Sequence, residues 1–450
     1  MLLITIFWFI LAGSERSRSS FHVPSLWVNR ILLLSLFFAC YLSFNPLFSL
    51  WVWHLSPSYS LPLFNNFFHF SPLSALFSFF SYLLALVLIR PTFCLPKLLS
   101  LFGLILLLFV NNYISFFLSL ECQSLLLYLL ASRDSISSGL KYFIIGSFSS
   151  SLILFGISLL YLSSGFTDIS LIHDLLFLSP LPTSSSLLFG HHLILLGLFI
   201  KLGVPPFHLW NVDLLDTSRS DLTSWFGTLS KLSLFYLLPF LSPSFSSLDS
   251  LTLTTFLVQP FAVNLSLFIF FSFFLGSFFG LLQTKLKRLF AYSSVFHLGF
   301  ILLSFSGLLF PLSSSLLSSL SFLFYILQYF LSFFILLLLV QHSNALYLHD
   351  VKLNIFSLFF FVLHLLSLAG FPPFSGFVAK FFILSSVISH SFFLCLIALL
   401  ASVFSFFLYF NLIRLLSLSP SHSISNSPDS FLISFPSLLS LASLFSFFVQ

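Results

Sequence analysis

The sequence predicts an all-α integral membrane protein of about fourteen transmembrane helices, with two inverted five-helix repeats and discontinuous seventh and twelfth helices. Three observations carry that reading. Of 450 residues, 59% are hydrophobic and 6% charged, with a mean hydropathy of +1.13, whereas soluble domains carry roughly a quarter charged residues. Apolar runs long enough to span a hydrocarbon core recur along the whole chain, with no long polar interval where a soluble domain could sit. Two Pro-Pro pairs interrupt two of those runs.

In chain order the runs place helices near 2–12, 31–52, 69–89, 98–111, 113–131, 138–163, 185–209, 221–245, 261–282, 288–310, 316–341, 354–384, 391–416 and 430–449. The whole of 1–450 reads as one polytopic domain: three leading helices in 1–97, repeats in 98–245 and 261–416, and a final helix at 430–449. The opening MLLITIFWFILAG is followed, not preceded, by its charges Glu15, Arg16 and Arg18, so it reads as a short membrane helix rather than a leader. The Ser-rich stretch 416–430 reads as a polar loop, and 70 Phe with abundant Leu and Ser point to a small organellar genome.

Charges between helices orient the chain. Arg16, Arg18, Arg30, Arg90, Lys97, Arg133, Lys285, Lys287, Arg288, Lys352 and Arg414 all fall on one side, and the opposite loops carry Asp168, Asp174 and Asp249 without Lys or Arg. The basic side is then cytoplasmic or, in an organelle, the matrix. The loop with Asp213, Asp216, Arg219 and Asp221 is the exception on the basic side. Cys40, Cys94, Cys122 and Cys395 lie far apart with no CxxC pairing and no ligand-spaced His, which argues against a metal site, an iron–sulfur cluster or a disulfide framework.

Few ionisable residues fall inside the runs. The chain has two glutamates, and Glu121 lies near the centre of the predicted fifth helix; Lys231 is similarly deep in the eighth. A charge at such depth costs at least a few kcal/mol unless it faces protein or water, so each is a functional candidate, with a structural ion pair or a snorkelling side chain as the alternative. Proline inside a helix removes a donor and clashes with the preceding turn. GVPPFH (203–208), with Pro205 and Pro206, should therefore break the seventh helix, and GFPPFSG (370–376), with Pro372 and Pro373, the twelfth. Two such breaks five crossings apart imply copies inverted relative to each other. Lys201 stands four residues before Pro205 and Lys380 seven after Pro373. A lysine stripped of water releases its proton more readily and a buried carboxyl holds its own more tightly, so alternating carboxylates and amines make a proton relay near neutral pH. His208, His297 and His364 could join it; the doublet His191-His192 has no assigned role.

The stretches ECQSLLLYLL with SGLKYF, KLGVPPFHLW, LKRLFAYSSVFHLGF and AGFPPFSGFVAKF, in this order within residues 113–385, resemble landmarks of the chain 2 (N-type) subunit family of respiratory complex I, NADH:ubiquinone oxidoreductase. The resemblance implies fourteen core helices, two inverted five-helix repeats and a proton path through Glu121, Lys201, Lys231 and Lys380, with Lys141 and His297 accessory; His208 is counted with the accessory residues on its chemistry alone. Lys201 would be its central carrier, given a water-accessible cavity by the break. Cys122 stands where the family usually has leucine, Pro205 adds a proline before the expected Pro206, and NVDLLD replaces a Pro-Asp loop.

With no GxGxxG after a strand and no cysteine ladder, the chain is expected to hold no cofactor of its own. The resemblance places NADH, FMN, iron–sulfur clusters and ubiquinone in partner subunits. This chain would contribute to an H+-translocating NADH:ubiquinone reductase without a redox centre. Its expected partners are other membrane-arm subunits, further antiporter-like subunits among them, and lipids; no nucleic acid is expected. Its expected place is the mitochondrial inner membrane, multi-pass and organelle-encoded, with basic loops on the matrix side. Two other readings stand: a subunit of a multi-subunit cation/proton antiporter, and a non-pumping membrane scaffold.

Overall fold

The structure, a computed structural model, describes residues 61–63, 67–70, 72–88, 94–178, 181–241, 253–309, 315–343, 347, 355–388 and 391–418. The helices expected near 2–12, 31–52 and 430–449, and most of the Ser-rich loop, lie outside the described residues.

A short antiparallel pair, β1 (Leu61–Leu63) and β2 (Phe68–Phe70), opens the described chain. All other regular structure among the described residues is helical: α1 (Pro72–Leu88), α2 (Cys94–Leu108), α3 (Tyr113–Asp134), α4 (Ile136–Ser164), α5 (Ile169–Leu178), α6 (Leu181–Leu202), α7 (Leu209–Thr217), α8 (Ser220–Ser224), a π-helical turn (Trp225–Leu229), α9 (Ser230–Leu241), α10 (Leu253–Leu281), α11 (Leu286–Leu309), α12 (Ser315–Ser343), α13 (Ile355–Ala369), α14 (Ser375–Val387) and α15 (Phe392–Leu418). Six spans among the described residues are long and apolar enough to cross a membrane, within α3, α4, α10, α11, α12 and α15.

How these helices carry polar side chains in an apolar setting is visible in their serines. Ser294 Oγ donates to the Ala291 carbonyl at 2.7 Å and Ser304 Oγ to Ile301 at 2.8 Å. Each hydroxyl is satisfied within its own helix, so it can be buried without a partner from elsewhere. The outward side chains are equally telling: on α15, Phe392, Phe393, Phe404, Phe407 and Phe410 are all exposed, a surface suited to lipid or a membrane neighbour rather than water.

The chain divides into two compact units, one of residues up to Lys201 with Leu229–Leu241, the other of Leu202–Thr228 and the residues from Ser242 on. In the first, α3 packs between α2 and α4, and α9 lies on α2 and α1. Arg133 sits in the last turn of α3, where the unpaired carbonyls favour a cation. In the second, α11 is the central helix, enclosed by α7, α10, α12 and α14, and every residue in its membrane-length window is buried.

Two placements differ from the sequence reading. Residues 169–178 form a helix where a loop was expected, and Lys97, counted among the loop charges, lies inside α2 and is fully buried. The acidic exception among the basic loops also has a structural account. Asp216, at the end of α7, accepts from Arg288 Nε at 2.8 Å and Lys285 Nζ at 3.4 Å, and Lys287 Nζ donates to the Ser218 carbonyl. One acid of this connection thus meets two bases of another at the same end of the second unit.

Candidate functional site

In the first unit the site begins with the end of α6. Lys201 occupies its last turn, and the helix stops at Leu202 because Gly203 takes a left-handed conformation at φ +75°, which a side chain would strain. Pro205 and Pro206, joined by a cis bond, lie in the turn that follows, and α7 starts at Leu209.

Lys201 Nζ lies 3.0 Å from Glu121 Oε1 on α3, the lysine side chain 8% and the carboxylate 25% exposed. Ser124, one turn further along α3, donates to the other carboxylate oxygen at 3.3 Å. Two intramembrane charges 80 positions apart therefore form one ion pair. A buried pair of this kind adds little to stability as a whole but is costly to break from one side, because the surviving charge is then stranded.

Lys231 sits near the start of α9, directly after the π-helical turn, and is 4% exposed. Among the described residues nothing accepts a hydrogen bond from its Nζ. Its neighbours are nonetheless anchored: Gln123 on α3 donates to the Ser230 carbonyl at 3.1 Å and accepts from Ser233 Oγ at 3.4 Å. Backbone irregularities such as a π turn recur at functional sites, since they re-aim side chains without ending a helix. Lys141 is exposed on α4.

In the second unit Gly370, at φ +83°, ends α13, and Pro372 and Pro373 precede α14. Lys380 folds back from α14 onto this break. Its Nζ donates to the carbonyls of Leu368 and Ala369, both at 2.9 Å, and lies 5.3 Å and 5.7 Å from the ring centroids of Phe300 and Phe296. The lysine is 6% exposed. Carbonyls at a helix C-terminus have no partner within the helix and carry its negative pole, so a broken helix supplies a ready cradle for an ammonium; the aromatic faces add to it.

His297, on α11, is 1% exposed. Its Nδ1 is 2.8 Å from the Tyr325 hydroxyl and its Nε2 is 3.0 Å from that of Tyr409, with the Tyr329 ring alongside. His208, in the turn before α7, is buried and meets Tyr292 edge-on; His364 is buried on α13. Among the described residues no three His, Cys, Asp or Glu side chains gather as metal ligands. The structure thus joins Glu121 to Lys201, seats Lys380 on a helix end and wraps His297 in tyrosines. Sequence reasoning missed Ser124, Gln123, Tyr325 and Tyr409, which are ordinary residues of apolar helices and carry no signal of their own.

The model for the NADH:quinone oxidoreductase/Mrp antiporter transmembrane family matches residues 110–405. NADH-quinone oxidoreductase subunit N of Pelagibacter ubique (strain HTCC1062) is 34% identical over 332 residues, covering 70% of this chain and 67% of its own. NADH-ubiquinone oxidoreductase chain 2 of Rhizopus oryzae is 30% identical over 455 residues, covering 89% and 83%. A chain of respiratory complex I from Thermus thermophilus with bound aureothin shares the fold at a TM-score of 0.76 and 22% identity, over 99% of this chain and 97% of that one.

Proposed function

The chain belongs to the NADH:quinone oxidoreductase/Mrp antiporter transmembrane family, as complex I subunit N and chain 2 do, and on that premise we propose that it is a proton-translocating membrane-arm subunit of respiratory complex I. The observation that carries this reading is the Glu121–Lys201 pair, an acid and a base in contact where a helix stops short. Opening the pair lets each group exchange a proton; closing it restores both charges.

The path runs through Glu121, Lys201, Lys231 and Lys380, with Lys141, His208 and His297 accessory. Lys201 and Lys231 alternate in protonation, and Lys380 exchanges with one aqueous side. Electron transfer from NADH through FMN and iron–sulfur clusters to ubiquinone belongs to partner subunits, and its energy reaches this chain as a conformational or electrostatic change. Fourteen helices, with inverted repeats in 98–245 and 261–416, complete the architecture of the single membrane domain, and the mitochondrial inner membrane, with the basic loops in the matrix, is its place. Partners are the other membrane-arm subunits, further antiporter-like ones included.

The first test is to solubilise native membranes gently and separate intact complexes on a native gel. Comigration with a very large, NADH-oxidising assembly is expected. Migration in a smaller NADH-inactive particle with sodium-dependent transport would instead give the antiporter reading, which the same family accommodates. Within the assembled complex, Lys201→Met should abolish pumping; unchanged pumping would refute the role given to Lys201 and favour a scaffold.

A further inference from the structure

Beside the Glu121–Lys201 pair, α3 carries two hydroxyls that the relay described above does not use. Glu121, Ser124 and Tyr128 stand at i, i+3 and i+7, so their side chains share one face of the helix. Ser124 Oγ lies 3.3 Å from Glu121 Oε2 and 3.2 Å from the Glu121 carbonyl. The Tyr128 hydroxyl in turn shares a side-chain hydrogen bond with Ser124. Both hydroxyl residues are buried.

The neighbouring α4 shapes this ladder. Gly146 lies so close to the Tyr128 hydroxyl that a Cβ added there would overlap it. The Tyr128 ring is held edge-on by Tyr142 and Phe143, with centroids 4.7 Å and 5.5 Å away. The glycine thus leaves a slot for one oxygen atom, and the two rings keep the phenol in it.

We propose that Ser124 and Tyr128 are positioning residues for Glu121: they fix its carboxylate opposite Lys201 and support its charge, with Gly146 keeping open the slot for the Tyr128 hydroxyl. The inference rests on the proton-translocation reading and adds to it the groups that set the acid of its ion pair.

The direction of each hydrogen bond carries the argument. A carboxylate and a carbonyl only accept, so the single hydrogen of Ser124 points to Glu121 and the serine oxygen is left to accept from Tyr128. A hydroxyl that accepts one hydrogen bond donates the next more strongly, so Tyr128 reinforces the long bond from Ser124. Donors aimed at a carboxylate favour it over the acid. No proton changes owner along the ladder; it sets the charge that Lys201 faces. Glu121 acts through space on Tyr128 and on Tyr142 of α4, and Lys201 on α6 is its paired cation. The other bases on the elements around α3 are Lys97 on α2, Lys141 on α4, Lys231 on α9 and, nearer the start of α6, His191 and His192.

The experiment measures protons pumped per NADH oxidised, as a function of pH, in membrane vesicles carrying the intact complex with Ser124→Ala, Ser124→Thr, Tyr128→Phe or Gly146→Ala. Without its donors the carboxyl keeps a proton at higher pH, so the charge opposite Lys201 is lost sooner on acidification. The pH at which the ratio falls to half its maximum should rise by about one unit in Ser124→Ala, a tenfold change in proton affinity. A smaller rise, about half a unit, is expected in Tyr128→Phe, which keeps the ring and loses only the hydroxyl, and in Gly146→Ala, which pushes that hydroxyl from its slot. Ser124→Thr keeps a hydroxyl and should restore the wild-type midpoint, a rescue that packing alone does not give. A wild-type midpoint in either Ser124→Ala or Tyr128→Phe would overturn the proposal, as would a Ser124→Thr midpoint moved as far as that of Ser124→Ala. If Ser124→Ala prevents assembly, Tyr128→Phe decides alone: a raised midpoint supports the ladder and an unmoved one refutes it. Lys201→Met, run alongside, keeps the two readings apart. Normal pumping in that variant removes the relay itself, whereas lost pumping there with unmoved midpoints in the hydroxyl variants removes only the ladder.

Discussion

Neutralising one partner of the Glu121–Lys201 pair should harm the protein more than neutralising both. At 3.0 Å and an effective dielectric of about 20, two unit charges attract by about 5 kcal/mol. In Glu121→Gln the amide oxygen still accepts from Lys201, which recovers part of this, and the partial exposure of position 121 screens more. A net loss of about 3 kcal/mol remains, in line with other buried pairs broken from one side. Lys201→Met should cost about as much, because Glu121 then keeps only the long bond from Ser124. The double variant strands no charge, and its cost should fall to about 1 kcal/mol. A loss of 1–2 kcal/mol already changes cellular abundance several-fold, so the amount of assembled complex on a native gel is a sufficient assay. The expected order is wild type, then the double variant close behind, then both single variants well below; NADH-driven pumping is lost in all three. A double variant no more abundant than the worse single one would refute the ion-pair reasoning, and pumping retained in the double variant would refute the relay.

Gly370→Ala tests the Lys380 cradle without touching the lysine. At φ +83° a side chain costs about 1–2 kcal/mol, and its Cβ would come within 3.0 Å of Lys380 Cδ and 3.1 Å of Nζ. The ammonium should be pushed off its two carbonyls and the proton-to-electron ratio should drop at least twofold; an unaltered ratio would show that the cradle is dispensable. His297→Phe deprives the Tyr325 hydroxyl of its partner, at about 1–3 kcal/mol, while Tyr409 keeps Ser293, so assembled complex should become scarcer, and adding Tyr325→Phe should restore some of it rather than lower it further. Asp216→Asn removes a pair whose basic partners are more than two-fifths exposed; its effect on the melting midpoint should match at most about 1 kcal/mol and vanish in high salt, and a large salt-independent loss would mean that Asp216 does more than neutralise the adjoining bases.

The legible part of this chain was the part where chemistry contrasts with its surroundings. Glu121, Lys201, Lys231 and Lys380 stand out because so few charges interrupt the apolar runs, and the Pro-Pro pairs because no other residue so reliably ends a helix. What spacing alone could not supply was the detail of the contacts: nothing in it says that Lys380 turns back onto Leu368 and Ala369. Lys97 was misplaced because a lysine near the edge of an apolar run looks the same whether it lies in a loop or inside the helix. The ten residues of α5 are too short to register as a span, and the tyrosines around His297 are too common in membrane helices to point anywhere. The recognition of the family rested on motifs between residues 113 and 385, nearly the stretch that the family model matches.

The two broken helices hold their lysines in chemically different ways, and the difference bears on what each can do. Lys201 lies before its break and faces a carboxylate, a partner that can itself lose its charge by taking up a proton. Lys380 lies beyond its break and faces backbone carbonyls, whose partial charge is fixed. The charge on Lys201 is therefore coupled to a second titration, and any influence that protonates Glu121 or draws it away favours release of the lysine's proton. At Lys380 the titratable neighbour is His297, which acts through space rather than by contact, so movement of the helix end or a change of charge at that imidazole would alter its occupancy. On these contacts the charge on Lys201 answers to its neighbour's proton, and that on Lys380 to the position of the end of α13 and to the imidazole beyond it.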